Sequence, residues 1–372
     1  MRDIRVMNDS PLYTIAFANI VGINDLQRKV LLEVYGSAEN IFKERFNSSS
    51  PFQNLHPSIS SLLMQNWPLE EAEKEVLFAA QHGIHIVNVL EENYPRRLAQ
   101  CEDAPTILYI KGDMHFQKKY LVSIVGTRQS SYQAKKIVHE LVGGLSHLNI
   151  GIISGMALGI DGMAHQSALD IHIPTWGVLA HGLDQIYPPQ HRRLAIDMMT
   201  EGGLITENKK GTKPLPYFFP KRNRIVAGMS DATIVIESDV KGGSMITAHL
   251  AAGYHRSVFA VPGKLTDNQS KGCLQLIKNN VAQMFFDTTH FLECMQWELP
   301  LPNKITTSNP LTLLFDPLTI AILNMIEQKG PIHPDQLSYG LQLSSGELST
   351  HLMNLEMQEM IHKQAGNTYI RL

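Results

Sequence analysis

Leu121-Val122-Ser123-Ile124-Val125-Gly126-Thr127-Arg128-Gln129-Ser130 is a β-branched run that stops at a glycine and is followed by an arginine. Ile137, Val138, Leu141, Val142 and Leu145 then recur at helical spacing. A buried strand running through a glycine turn into an amphipathic helix is the opening half of a βαβ unit. The same alternation recurs downstream, with short apolar runs at Leu121 to Val125, Ile150 to Ile153, Trp176 to Leu179, Leu204 to Ile205, Thr233 to Ile236 and Ser257 to Val261. Strands alternating with helices of this length imply a parallel sheet covered on both faces. The fold class expected is therefore α/β, with a Rossmann-like parallel sheet core.

Working outward, residues 1–85 read as a helical domain. Leu26, Val30, Leu31 and Val34 have helical spacing, Gly36 stops a helix and Ser37 caps the next. Gly22-Ile23 between two apolar helices fits either a helix-hairpin-helix turn, whose amides bind phosphate, or a plain packing turn. Asn47-Ser48-Ser49-Ser50-Pro51 reads as a loop. Residues 86–298 hold the sheet, extended by a segment before its first core strand, and 299–315 form a proline-rich polar linker. In 316–372, Asp316-Pro317 and Pro334-Asp335 start helices and Ser344 to Glu347 has capping-box spacing ahead of Leu348, Leu352 and Leu355. A hairpin over Ile361 to Ile370 completes a small winged helix-turn-helix. The third helix carries Glu347, Glu356 and Glu359 and no lysine or arginine, whereas a DNA-reading helix needs cations near phosphates. This module is expected to bind protein or to be structural.

Ligands of parallel α/β sheets bind beyond the carboxyl ends of the strands, where helix N-termini aim amides outward. Four segments fall at that edge: Gly126-Thr127-Arg128; Ser154-Gly155 leading to Gly159-Ile160-Asp161; the turn before Arg222-Asn223-Arg224; and Gly242-Gly243-Ser244 with Thr247 one turn later. Any one is an ordinary tight turn, but four at one edge, two of them carrying arginine, form a phosphate cradle. GxGxxG is missing after the first strand, and the second strand ends in Ser154-Gly155 instead of an acid, which disfavours a dinucleotide. No GxxxxGK[ST] is present for a P-loop.

Asn208 to Arg224 is the densest local signal, with Lys209, Lys210, Lys213, Lys221, Arg222 and Arg224 and no acid, interleaved with Tyr217, Phe218 and Phe219. Cations neutralise phosphates while rings stack on bases, at about 1 to 3 kcal/mol per stacked base. That combination suits a single strand of DNA; the other reading is a solvated loop whose rings pack into the core. The whole chain of 372 residues has a formal charge of -3, so a uniformly basic surface is excluded and any anion site is local. Three cysteines without a CxxC pair give no disulfide framework or zinc knuckle, and no metal or cofactor is expected. No uncharged apolar stretch reaches membrane-spanning length, and the expectation is a cytoplasmic protein. Asp161 and His165 stand at i and i+4, either as an acid-base pair or as a helix-surface hydrogen bond. Glu207 and Glu237 either polarise a sugar hydroxyl or hold Arg222 or Arg224. No activated nucleophile accompanies them, so an enzyme is not expected.

These residues, in order, resemble a known family. Tyr94-Pro95, Ile124 to Arg128, Ser154 to Asp161 with Ala164-His165, Gly182-Leu183-Asp184 with Tyr187-Pro188, Phe219 to Arg224, Gly243-Ser244 with Thr247-Ala248, and Pro262-Gly263 are similar to the bacterial DNA processing protein A (DprA, or Smf) family. The resemblance implies a homodimer of natural transformation that binds incoming single-stranded DNA, protects it and helps load the RecA recombinase. It places Arg128, Arg192, Lys213 and Lys221 in the family's phosphate pocket with Arg222, Asn223 and Arg224 beside them; with the cradle loops and the aromatic-basic stretch, the DNA contacts expected are these together with Gly126, Thr127, Ser154, Gly155, Phe218, Gly242, Gly243 and Ser244. It also implies a dimer and RecA surface at Leu276, Ile277, Val281, Met284 and Phe285. Two positions depart from the family: its usual Ser-Gly-Ser is Gly242-Gly243-Ser244, and a common asparagine is Cys273. The alternative is a nucleotide-binding hydrolase of the related phosphoribohydrolase superfamily, but its PGGxGTxxE loop is missing.

Overall fold

The computed structural model describes residues 10–47, 55–299, 317–357, 360–364 and 366–371. The loop expected at Ser48 to Pro51, nearly all of the linker, the Asp316 cap and Glu359 lie outside them. Contacts divide the chain into one unit, Met1–Pro300, and a second, Leu301–Leu372.

The first unit opens with α1 (Pro11–Ala18), α2 (Asp25–Tyr35), α3 (Ala38–Glu44), α4 (Pro57–Leu63) and α5 (Leu69–Gln81). Asn24 and Gln27 form a capping box at the start of α2, and Gly36 ends it in the left-handed conformation, φ 77°. Ser37 caps α3, as its spacing predicts. Leu31 and Leu32 of α2 are buried while Leu26, Val30 and Val34 stay exposed. Strands and helices then follow as β1 (Ile84–Asn88), α6 (Arg96–Ala99), β2 (Ile107–Gly112), β3 (Tyr120–Val125), α7 (Tyr132–Gly144), β4 (Ile150–Gly155), α8 (Ile160–Asp170) and β5 (Thr175–Val178). The unit ends with α9 (Arg192–Met198), β6 (Gly202–Thr206), α10 (Phe218–Gly228), β7 (Ala232–Val235), α11 (Gly243–Gly253), β8 (Ser257–Ala260), α12 (Asn268–Lys278), β9 (Gln283–Met284) and α13 (Thr288–Met295).

The nine strands form one sheet in the order β1-β2-β6-β5-β4-β3-β7-β8-β9. From β6 to β9 every pairing is parallel, whereas β1 and β2 extend the sheet antiparallel beyond β6. Alternate residues of β3 enter opposite cores. Val122 and Ile124 pack with Val138, Leu141 and Ile152 on one face, Leu121 and Val125 with Ile153, Trp176 and Val226 on the other. β1 straddles residue 85, and the buried residues of α1 and α2 are continuous with Tyr94, Leu98 and Ile107, so the helical block shares the core of the sheet.

In the second unit α14 (Pro317–Lys329), α15 (Pro334–Leu341) and α16 (Ser345–Met357) precede the hairpin of β10 (Ile361–Gln364) and β11 (Thr368–Arg371). Ser344 and Glu347 cap α16 reciprocally. Ile322, Ile326, Leu337, Leu348, Leu352 and Leu355 form its own core.

Candidate nucleic-acid interface

β3 and β7 lie side by side, and the chain leaves them toward opposite halves of the sheet, so their carboxyl ends mark a topological switch point. A cavity of about 390 Å³ opens there. Gly126, Thr127, Arg128 and Gln129 supply one wall after β3, and Gly155, Ala157 and Asp161 a second after β4. Phe219, Arg222, Asn223 and Val226 of α10 form the third, and Gly242, Gly243, Ser244 and Thr247 at the start of α11 the fourth. Val125, Ser238, Asp239 and Gln269 complete the lining; the place of Ser238-Asp239 just past β7 is a signal for those two, and none pointed to Gln269 on α12.

Arg128 is exposed, and its guanidinium carbon lies 5.4 Å from the centre of the Phe219 ring, a contact worth about 0.5 to 1 kcal/mol that holds the fork over the cavity. Thr127 spends its amide on the Glu237 carbonyl at 2.7 Å, and its own carbonyl accepts from Ile160 at 3.2 Å, which ties this turn to α8. A side chain at Gly155 would meet Asp161 Oδ2 at 2.5 Å and Arg222 Nη2 at 2.6 Å, so glycine is required for that approach. Gly243 and Ser244 open α11, whose first amides have no partner within the helix.

Arg222 is buried at the cavity floor. It donates to the Val178 carbonyl and, through Nε, to Asn223 Oδ1 at 3.2 Å. Burial lowers its pKa, and Asp161 opposes that shift. Asp161 is itself buried, which pushes its carboxyl up to about 6 against the attraction of Arg222 and Arg128 and hydrogen bonds from the Ala157 and Gly126 backbones. Asn223 Nδ2 donates to the Gly243 carbonyl at 3.2 Å, linking α10 to α11.

Several expected contacts fall elsewhere. Arg224 leaves the cavity, because two residues along a helix rotate it about 200° from Arg222. It is buried and donates to Glu207 at 2.5 Å, Asp25 at 3.1 Å and the Asp103 carbonyl. Glu207 thus holds Arg224, whereas Glu237 caps α7 through the Ser131 amide and hydroxyl at 2.9 and 2.5 Å. Ser154 is fully buried, its hydroxyl donating to the Ile124 carbonyl at 2.6 Å. His165 pairs through Nδ1 with Thr175 Oγ1 at 2.7 Å, not with Asp161, and burial pushes its imidazole down to about 3. Arg192, Lys213 and Lys221 are exposed but outside the cavity, Lys221 resting on Glu207 at 2.9 Å. Phe218 is half-buried, and its ring centre lies 4.2 Å from that of the exposed Tyr217, the two planes tilted by 38°.

Of the expected partner surface, Leu276 and Phe285 are core residues, 1% and 5% exposed, because each fills one face of the sheet. Met284 is exposed, Ile277 and Val281 are half-buried, and the neighbouring Phe286 is the most exposed ring there. At the two departures, Gly242 lies against Ser238, whose Oγ accepts from Ser244 Oγ at 2.8 Å, and Cys273 Sγ faces the Val235 carbonyl, its thiol pushed up to about 12 by burial.

A mostly parallel sheet with a four-walled, arginine-bearing cavity at its switch point, and a separate unit of three helices and a hairpin, define a multidomain α/β protein of the Rossmann-like class. Residues 85–296 match the model of the DNA recombination-mediator protein A family, and residues 307–367 that of the DprA winged helix domain. The chain belongs to the DprA/Smf family. It is 30% identical over 312 residues to the protein Smf of Escherichia coli, covering 82% of each chain. The structure of DNA processing protein A from Streptococcus pneumoniae superposes with a TM-score of 0.64 at 30% identity, over 79% of this chain and 99% of that one. A structure of the Helicobacter pylori protein, described by its single-stranded DNA binding mode, matches with a TM-score of 0.52 at 30% identity, over 57% of this chain and 95% of that one. Among the described residues no helix is long and apolar enough to cross a membrane.

Proposed function

We propose that this protein binds single-stranded DNA at the switch-point cavity, without catalysing a reaction on it, protects the incoming strand in the cytoplasm and helps load RecA recombinase during natural transformation. The observation that carries the reading is the pair Arg128 and Arg222 facing one cavity lined by glycines on three walls, a geometry that accepts a phosphate and the backbone attached to it. Arg192, Lys213, Lys221 and the Tyr217-Phe218 pair continue the path outside the cavity. The binding mode described for the Helicobacter pylori relative supports it. Met284, Ile277, Val281 and Phe286 are the surface proposed for a second copy of the chain or for RecA. A hydrolase reading is not favoured by the family match.

The test is a salt titration of binding to single-stranded and double-stranded oligonucleotides of one sequence, with the mass of each complex measured in solution. Tighter single-strand binding by a dimer, with a steep salt dependence, is expected. Equal affinity for both forms, or release of base from nucleoside monophosphates, would overturn it.

A further inference from the structure

The charge of the stretch from Lys209 to Arg224 is unevenly committed. Lys209 Nζ is paired with Glu71 at 2.8 Å, the Lys210 ammonium lies 4.4 Å from the centre of the Phe78 ring, and Lys221 and Arg224 rest on Glu207. Arg222 is on the cavity floor. Lys213 is exposed and, among the described residues, makes no ion pair, so it is the cation of this stretch left for a phosphate outside the cavity.

The chain just before Lys213 is fastened from two sides. Glu71, Glu75 and Phe78 stand at i, i+4 and i+7 of α5, so one face of that helix meets the turn from Lys209 to Thr212. Glu75 is 7% exposed, and its Oε2 accepts from the Lys210 amide at 3.0 Å. On the other side Asp184 Oδ1 accepts from the Gly211 amide at 3.0 Å, and the Thr212 carbonyl accepts from the Gly182 amide at 3.1 Å and from Gln185 Nε2 at 2.9 Å. Pro214 then restricts the backbone of Lys213 itself to extended conformations. The ammonium is thereby confined to the reach of its own side chain. Coulomb repulsion from Glu75 and Asp184 opposes a strand at Lys213, whereas the order they impose on the turn favours one. These two effects have opposite signs and can be separated.

We infer that Glu75 of the helical block and Asp184 are positioning residues for strand binding: neither touches the strand, and each fixes the turn that presents Lys213 to a phosphate. The helical block thus takes part in recognition without contacting DNA. The inference rests on the proposed single-strand binding.

Full-length parent protein, Glu75→Ala, Glu75→Gln, Asp184→Ala and Lys213→Ala are compared by fluorescence anisotropy on one single-stranded oligonucleotide across a range of salt, at a temperature where each is folded. Asp184 is exposed, so its variant does not endanger the fold and keeps the test open if Glu75→Ala does not fold. Each of the two alanine variants is expected to weaken binding about threefold to tenfold, the cost of ordering one long side chain on association. Their salt slope should stay at the parent value, because Lys213 still neutralises its phosphate. Glu75→Gln keeps an acceptor for the Lys210 amide without the charge and is expected to recover the affinity. Lys213→Ala should reduce the slope by about 0.7, and in that background neither alanine substitution should weaken binding further. Unchanged or tighter binding in Asp184→Ala or in a folded Glu75→Ala means that the carboxylate only repels, and overturns the inference for that residue. A loss of the same size with and without Lys213 marks a general disturbance of the fold and overturns it too, as does a Glu75→Gln variant as weak as Glu75→Ala. Absence of single-strand binding in the parent protein overturns the proposed function instead.

Discussion

Arg224 and Glu207 lie 2.5 Å apart with side chains only 7% and 8% exposed, and Asp25 at 3.1 Å brings α2 of the helical block into the same network. Arg224 is therefore a bolt between that block and the sheet, although it belongs to the motif that otherwise builds the cavity. Arg224→Ala leaves Glu207 with Lys221 alone and Asp25 with Arg28 alone, and is expected to cost about 1 to 3 kcal/mol of stability. Chemical denaturation checks this. At a temperature where the variant is folded, the salt slope of single-strand binding should match that of the parent protein, because no phosphate contact is removed.

Arg128 carries the opposite expectation. It is exposed, positioned by Phe219, and makes no ion pair among the described residues. Arg128→Ala should leave the thermal midpoint within a degree or two and weaken single-strand binding, reducing the salt slope by about 0.7 for the phosphate no longer neutralised. Arg128→Lys keeps the charge and loses the planar fork, so it should restore the slope and only part of the affinity. A slope unaltered in Arg128→Ala would remove this residue from the interface.

Two of the glycines lining the cavity, Gly155 and Gly243, differ in what surrounds them. At Gly155 a methyl group collides with Asp161 and Arg222, whereas at Gly243 nothing lies within 4 Å. Gly155→Ala is expected to destabilise the fold by about 1 to 3 kcal/mol, the cost of overpacking, and to displace the Arg222 guanidinium. Gly243→Ala should stay within about 0.5 kcal/mol of the parent. Denaturant midpoints for the two variants provide the comparison.

The sheet was legible because its central parallel strands are buried on both faces and read as short apolar runs, β3 closed by Gly126 and β4 by Ser154-Gly155. β2 was harder to see, since Ile107–Gly112 lies on the antiparallel side and is preceded by irregular chain instead of a helix of the alternating series. At the site, residue type and position past a strand located Gly126, Arg128, Gly155 and Gly242, but not the direction of each side chain. Arg222 and Arg224 look equivalent as letters, and only the helix on which they sit separates them. Leu276 and Phe285 carried the same ambiguity, because an apolar residue near the end of the sheet domain fits a core and a partner surface equally well until its neighbours are known.

The winged helix unit has its own core and an acidic start to α16, with Glu347 engaged in capping Ser344. Removing residues 311–372 is expected to change single-strand affinity less than twofold. The isolated segment should bind duplex DNA no more tightly than a non-specific polyanion contact allows. Tight, salt-sensitive duplex binding by that segment would assign it to DNA reading instead.

Asp161 and His165 are both buried on α8, and their shifts have opposite consequences for stability. The Asp161 carboxyl is raised from 3.8 to about 6, so its contribution is fully present below pH 3.8 and is lost as pH rises through 6. The His165 imidazole is depressed from 6.5 to about 3, so its contribution is present above pH 6.5 and is lost as pH falls toward 3. Between roughly pH 6 and 4 the folded chain holds a proton on Asp161 that the unfolded chain lacks, and the unfolded chain holds one on His165 that the folded chain lacks. These two terms cancel. Asp161→Asn removes the first and leaves the second, so relative to the parent its stability should fall by about 1.4 kcal/mol for each pH unit below 6. The same protonation neutralises a carboxylate beside Arg128 and Arg222. Single-strand affinity of the parent protein should therefore rise as pH falls from 7.5 to 5.5, while Asp161→Asn binds tightly and evenly across that range. An affinity rise of the same size in both proteins would place the responsible group elsewhere.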